Sequence, residues 1–382
     1  MNVLITGAAA GAAASIVYSG FSTWAGAQFV LRRRHPSADA NNLPPVSILK
    51  PLKGTDPEMY QSLRSHCVQS YPEYEILFGI TDPNDPAAAV VQRLIREFPD
   101  RALRLVQCEK SLGANGKVSS LAQMGAVAQH NVLLVNDSDI RVDPDYLRTI
   151  AKELAAPGVG LVTCLYRAVP AHTIASKLEA LTIATDFMAG VLAAERLEGG
   201  LRFGLGSTLA LRRSDLEAIG GFEAIADYLA DDYQLGRRIT ERNLKIKLSD
   251  SVVETYLPAY DLSGFFSHQL RWARTIRASR PGGYGGLLLT FTLPWAIFTL
   301  ALTRGAALGW GLFVAALLVR SAMALVIGKL VLRDRTVLHL FWLIPVRDVV
   351  AVVVWLGGLA GRKIVWRGET FYLRGGKLKR GD

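Results

Sequence analysis

The apolar residues of this chain are gathered toward its two ends, and that distribution limits what it can fold into. Residues 3 to 31 form an apolar run rich in Ala and Gly, followed at once by "RRRH". Three further apolar blocks fall at about 285–303, 305–332 and 337–361. A helix of about 20 apolar residues crosses a bilayer, and half of the 382 residues are hydrophobic. The sequence therefore predicts a protein partly embedded in lipid, with a water-soluble segment between two sets of apolar helices.

The first run has no basic residue before it and three arginines directly after it, the reverse of a cleaved signal peptide. It is expected to remain as an anchor, and the positive-inside tendency puts the following segment in the cytoplasm. If all three later blocks crossed, the basic tail "RKIVWRGETFYLRGGKLKRGD" would end on the opposite side, against the same tendency. One block is therefore expected to be re-entrant or interfacial. The first, with Pro294, or the last, with Pro345, Arg347 and Asp348, suits that role better than the middle one, with Arg320.

A net charge of +10 is compatible with nucleic acid. However, much of the basic charge lies beside apolar segments and no base-stacking motif accompanies it, so the expected partner is an anionic lipid bilayer and no nucleic acid is expected. Three widely spaced cysteines, Cys67, Cys108 and Cys164, form neither a CxxC pair nor a disulfide framework and read as small buried residues. The expected organisation is an anchor at 1–31, a linker at 32–45 containing "PSADANNLPP", a soluble domain at 46–280, membrane or interfacial helices at 281–361, and a basic cytosolic tail at 362–382.

Within the soluble segment, strand-like runs ("VSILKPL", "YEILFGITD", "LRLVQC", "VLLV") alternate with helical ones ("PAAAVVQRLIREF", "KVSSLAQMGAVAQH"). This alternation predicts an α/β domain with a largely parallel sheet, whose ligands bind beyond the C-terminal strand ends. Asp82 closes one strand there and Asp137 another. In "NDSDI", Asp137 and Asp139 are one residue apart and can converge on a hard cation such as Mg²⁺ or Mn²⁺, although a polar turn is the bland alternative. Lys117 opens a helix after glycines and could meet a phosphate. Asp231 and Asp232 form a like-charged pair that raises the pKa of one member, which suits a general base; a helix N-cap is the alternative. Gly204 and Gly206 would let the backbone approach a ligand. In "HQLRWART", His268, Arg271 and Trp272 share one helical face. Arg271 suits a diphosphate and Trp272 a sugar ring, whereas the later arginines suit a membrane surface.

The order D, DxD, (D/E)D and a QxxRW-like motif resembles the membrane-bound inverting glycosyltransferases of families 2 and 21. "SILKPLKGTDP", "NDSDIRVDPDYL", "VGLVTCLYR", "GSTLALRRSDLEAIGGF", "LADDYQLG" and "HQLRWART" are most similar to the ceramide glucosyltransferase branch, including bacterial relatives acting on hopanoids. The resemblance implies a GT-A fold, a UDP-sugar donor, Mg²⁺ or Mn²⁺, and a membrane lipid acceptor, in a multi-pass protein of the bacterial inner membrane whose catalytic domain faces the cytoplasm. It implies that Asp82 contacts the uridine, Asp137 the donor's nucleotide side and Asp139 the metal, with Asp137 assisting at the metal. It makes Asp232 the catalytic base and gives Arg271 and Trp272 the diphosphate and the acceptor end of the cleft. His268 departs from the family's Gln at its position. One sugar, glucose or N-acetylglucosamine, would move to ceramide or bacteriohopanetetrol. A processive polysaccharide synthase and a non-catalytic nucleotide-sugar-binding membrane protein are the alternatives, and the sequence leaves the oligomeric state open.

Overall fold

A computed structural model describes residues 3–33, 43–366 and 369–380. Residues 34–42 of the expected linker, and 367, 368, 381 and 382 of the tail, lie outside the described residues. The chain divides into two compact units that interleave along the sequence.

One unit comprises residues 37–166, 198–258 and 376–382. Its eight-stranded sheet contains β1 (Val46–Pro51), β2 (Tyr74–Ile80), β3 (Ala102–Gln107), β4 (Val132–Val135), β5 (Ile140–Arg141), β6 (Val159–Val169), β7 (Leu209–Arg212) and β8 (Lys245–Tyr256). Their order is β3-β2-β1-β4-β7-β6-β8-β5. The first four are parallel, whereas β7 runs antiparallel to β4 and to β6, and β5 antiparallel to β8. Every residue of β1, β2 and β4 is buried, which explains their unbroken apolar runs: both sheet faces are covered, and alternation is lost. Gly79 on β2 allows the helix Gly116–Val127 to approach closely, since a Cβ there would lie 2.6 Å from Met124 Sδ. The parallel strands all end on one edge, and the turns that follow them carry the acidic residues. Cys67, Cys108 and Cys164 are buried, as expected.

The other unit comprises residues 1–36, 167–197 and 259–375. Three of its helical stretches, Val3–Arg32, Ala307–Val331 and Phe341–Leu359, are long and apolar enough to cross a membrane. The block expected at 285–303 is broken into helices Pro281–Thr290 and Thr292–Leu302, bent by 57°, the shape of a broken span or a re-entrant loop. Small residues permit close helix contacts here. A Cβ on Gly11 would meet the Trp295 ring at 2.8 Å, and Ser19 and Thr292 hydroxyls share a 2.7 Å hydrogen bond. Arg320, Arg347 and Asp348 inside the apolar blocks are covered by protein, whereas Lys329 is exposed: Arg320 pairs with Asp348 at 2.5 Å and with Asp186 at 3.4 Å, and Arg347 pairs with both aspartates.

Candidate active site

The apolar strand β4 stops at Val135, and the next four residues build the floor of a charged site. Asn136 is buried; its amide donates to the Ser207 carbonyl at 2.6 Å and the Tyr146 hydroxyl at 3.0 Å, tying the strand end to the loop at 206–208. Asp137 and Asp139 follow at the sheet edge.

Lys117 enters from the first turn of the Gly116–Val127 helix. That helix start is fixed by Asn115, whose side chain accepts from Val118 N–H at 3.2 Å and donates to the Tyr228 carbonyl at 2.7 Å. Lys117 is thereby held against the segment leading to Asp231. Its ammonium lies 2.7 Å from Asp137 Oδ1 and 3.0 Å from Asp231 Oδ2. Burial alone would lower the lysine pKa, but Asp137 and Asp231 overcome this and raise it, so Lys117 stays charged.

Asp231 and Asp232 open the helix Asp231–Glu241, with Ala230 as its N-cap. Neither aspartate is the cap, so the N-cap alternative does not hold. Both occupy the first turn, where the helix dipole favours negative charge. Asp232 accepts from Gly206 N–H at 3.0 Å and Tyr233 N–H at 2.7 Å. Burial, and then repulsion from Asp231, push its carboxyl up to about 7, although Lys117 pulls the other way. Such a group exchanges a proton near neutrality. A Cβ on Gly206 would lie 3.0 Å from Asp137 Oδ2, 3.6 Å from Asp232 Oδ2 and 3.7 Å from Lys117 Nζ. The glycine keeps the centre of the site open, and Gly204 admits no side chain either, since a Cβ there would collide with Leu209.

Asp139 accepts from the Thr255 hydroxyl, and Ser138 donates to Asp56. Burial, then Asp137, raise the Asp139 pKa to about 6. The fully buried Lys50 donates to the Asp137 carbonyl at 2.8 Å. Its pKa falls to about 7 through burial, opposed by Asp139, Asp137 and Asp56. Lys50, Asp56 and Thr255 are additions to the residues expected at the site. Lys50 carries a signal, a cation inside the apolar run "VSILKP"; Asp56 and Thr255 carry none, because only folding brings them to Ser138 and Asp139.

Among the described residues, no group of three or more His, Cys, Asp or Glu side chains is gathered to hold a metal. Two carboxylates one residue apart nevertheless fit a hard cation that takes its remaining ligands from phosphate and water. Asp137, with a side chain 40% exposed against 9% for Asp231, is the more open of Lys117's two partners.

Asp82 follows β2 and accepts from Asn84 N–H at 2.9 Å in a local turn. Neighbouring Asp85 accepts from Gly54 N–H at 2.9 Å and 3.0 Å, fixing the loop after β1. His268, Arg271 and Trp272 belong to the other compact unit, on the helix Leu262–Ser279. The His268 and Trp272 rings meet at 5.1 Å, in keeping with a shared helical face. His268 Nδ1 lies 3.0 Å from buried Glu179, its ring stacks on Tyr260, and Trp272 contacts Phe187.

The fold is similar to that of the mannosyltransferase PcManGT from Pyrobaculum calidifontis, solved in complex with GDP-Man and Mn²⁺. The TM-score is 0.52 at 20% sequence identity, covering 91% of this chain and 99% of that one. The protein thus has the GT-A glycosyltransferase fold. The model of glycosyl transferase family 21 matches residues 7–379, and the chain belongs to that family. Ceramide glucosyltransferase 1 from Caenorhabditis elegans is 26% identical over 253 residues, 66% of this chain and 54% of that protein. The ceramide glucosyltransferase of Candida albicans is 33% identical over 115 residues, 27% of this chain and 21% of that protein. The chain spans about half the length of the nematode relatives it matches.

Proposed function

We propose that this protein is an inverting glycosyltransferase that moves one sugar from a UDP-sugar to a hydroxyl of a membrane lipid. The observation that carries the proposal is Asp232, a carboxylate pushed up to about 7, held by Gly206 N–H and set beside the Lys117, Asp137 and Asp231 cluster. Asp232 accepts the proton of the lipid hydroxyl as its oxygen attacks the anomeric carbon. The bond from that carbon to the diphosphate breaks on the opposite face, so the anomeric centre inverts without a covalent enzyme intermediate. Lys117 holds Asp137 and Asp231 in place and, by its charge, keeps Asp232 from being protonated more tightly still.

Asp137 and Asp139 would hold Mg²⁺ or Mn²⁺, which supplies positive charge against the departing diphosphate when bound. Asp82 meets the uridine, and Arg271 and Trp272 serve the diphosphate and the acceptor. Helices long and apolar enough to span a membrane suit an acceptor that stays in the bilayer. The names of the relatives favour glucose and ceramide; N-acetylglucosamine and bacteriohopanetetrol are the alternatives from the sequence motifs. The proposed setting is a bacterial inner membrane with the sheet unit on the cytoplasmic side.

The test is mass spectrometry of lipids after incubating the purified full chain in detergent with Mg²⁺ or Mn²⁺. Donors are UDP-glucose, UDP-N-acetylglucosamine and GDP-mannose, and acceptors are ceramide and bacteriohopanetetrol. A single-sugar adduct from a UDP donor, absent with Asp232→Asn, is expected. Polymer ladders, or donor binding without product on either lipid, would overturn the proposal.

A further inference from the structure

A second charged site lies wholly within the helical unit. A cavity of about 730 Å³ is lined by Arg274, Arg277, Arg362 and Arg374, with Leu359 at its apolar side. Among the described residues, no acidic side chain lines it. Arg274 and Arg277 donate to carbonyls at and just after the end of the helix Ile344–Leu359: Arg277 to Leu359 and Gly361, Arg274 to Ala360 and to Lys363, the first residue of the next strand. Those bonds position the two guanidiniums without cancelling their charge, because a carbonyl is neutral. Arg362 and Arg374 are exposed and make no side-chain hydrogen bond or ion pair among the described residues. Four cations around one cavity repel one another unless an anion joins them. Arginine's planar fork suits phosphate oxygens.

The neighbouring apolar surface indicates which anion. Val346, Val349, Val353 and Leu356 recur at three- and four-residue spacing along the helix, and each is about half exposed. With Leu359, also 49% exposed, they lead along one of the candidate spans to the rim of the cavity. Acyl chains covering that stripe would bring their headgroup to the arginines. Val365 and Tyr372, on the paired strands Lys363–Trp366 and Glu369–Arg374, add exposed apolar surface.

We propose that this four-arginine cavity binds the phosphodiester headgroup of an anionic phospholipid whose acyl chains lie along the 346–359 stripe. The site is separate from the proposed transfer chemistry and does not depend on it. The test is native mass spectrometry of the full chain in detergent, titrated with phosphatidylglycerol or phosphatidylcholine of matched acyl chains. One phosphatidylglycerol is expected to be retained in preference to phosphatidylcholine. The variant R362A/R374A leaves the helix-capping arginines in place and should weaken retention by about thirtyfold, the loss of two near-surface attractions to an anionic lipid. The control R96A/K110A removes the same charge from exposed positions of the other unit and should leave it unchanged.

Equal retention of both lipids, or equal weakening by the control, would overturn the site. Inorganic phosphate displacing the lipid at millimolar concentration would also overturn the assignment, since the cavity would then take a free anion rather than a headgroup. Far-ultraviolet circular dichroism identical to the unmodified chain establishes that R362A/R374A is folded. Should it fail to fold, the milder R374Q, expected to weaken retention by about fivefold, decides the same question.

Discussion

Arg320, Arg347, Asp186 and Asp348 in the helical unit, and Lys117, Asp137, Asp231 and Asp232 in the sheet unit, are both four-residue charge clusters built from distant parts of the sequence. The first sets two guanidiniums against two carboxylates. Arg320, Arg347 and Asp348 have side chains at most 3% exposed, and further donors find the Thr185 carbonyl and the Thr182 hydroxyl. The second sets one ammonium against three carboxylates, with Asp137 well exposed. A balanced cluster has no call for another charge and closes helices onto one another. An unbalanced one favours uptake of a proton or a cation: burial first, and then repulsion from Asp231, push Asp232 toward neutrality, as burial and then Asp137 do for the neighbouring Asp139. Charge balance and access, rather than charge itself, distinguish a structural cluster from a chemical one.

The comparison breaks most visibly at the proposed base. Asp232→Asn should lower turnover by about 10³-fold, the usual worth of a general base, while UDP binding measured by calorimetry stays within twofold. Asp139→Ala should lose metal-dependent UDP affinity instead. Equal loss of UDP binding in both variants would refute the division of roles.

In the balanced cluster the expected effect is on stability. Arg320→Met leaves Arg347 alone against Asp186 and Asp348, a buried cluster with one negative charge in excess, and should cost about 3–5 kcal/mol, read as a lowered Tm in detergent. Removing Asp348 as well, in Arg320→Met/Asp348→Leu, leaves Arg347 with Asp186 and should restore most of that loss. A Tm no better than that of the single variant would show that the network is not simply balanced pairs.

Acidity gives a third test. Because Asp232 must be ionised to act, turnover should rise with pH through about 7 and fall about tenfold per pH unit below it. Lys117 lowers the Asp232 pKa, so Lys117→Met should move that limb to higher pH; a limb left in place would detach the lysine from the base.

The smallest expected effect is on stability linkage. A carboxylate whose pKa is raised by folding binds more protons when folded, so its contribution is full below its unfolded pKa and is lost as pH rises through about 7. Asp232→Asn should therefore be more stable than the unmodified chain at pH 8, with the gap narrowing below about pH 7 and closing only below about pH 4, the unfolded-state value. A gap unchanged with pH would show that Asp232 does not titrate in this window.

Much of the fold is legible in the residues themselves. The unbroken runs "VLLV" and "YEILFGI" read as strands because burial on both faces removes alternation. The alternating segments imply the sheet, and hence the edge where Asp137 lies. The parallel half of the sheet follows from that alternation; the antiparallel pairing of β7 with β4 does not, because a four-residue strand carries no mark of its direction. Lys50 stands out as a lysine in an apolar run, whereas Asp56 and Thr255 look like ordinary loop and strand residues.

The sequence by itself determined the element types and the apolar segments and marked the candidate site residues, because these follow from local periodicity and residue chemistry. Only the tertiary structure decided which carboxylates share Lys117, that Ala230 rather than an aspartate caps the helix, and that Arg320, Arg347 and Asp348 of the apolar blocks form a network with Asp186. Those facts depend on distances between residues as many as about 160 positions apart, such as Asp186 and Arg347. Local patterns do not encode such distances; packing sets them.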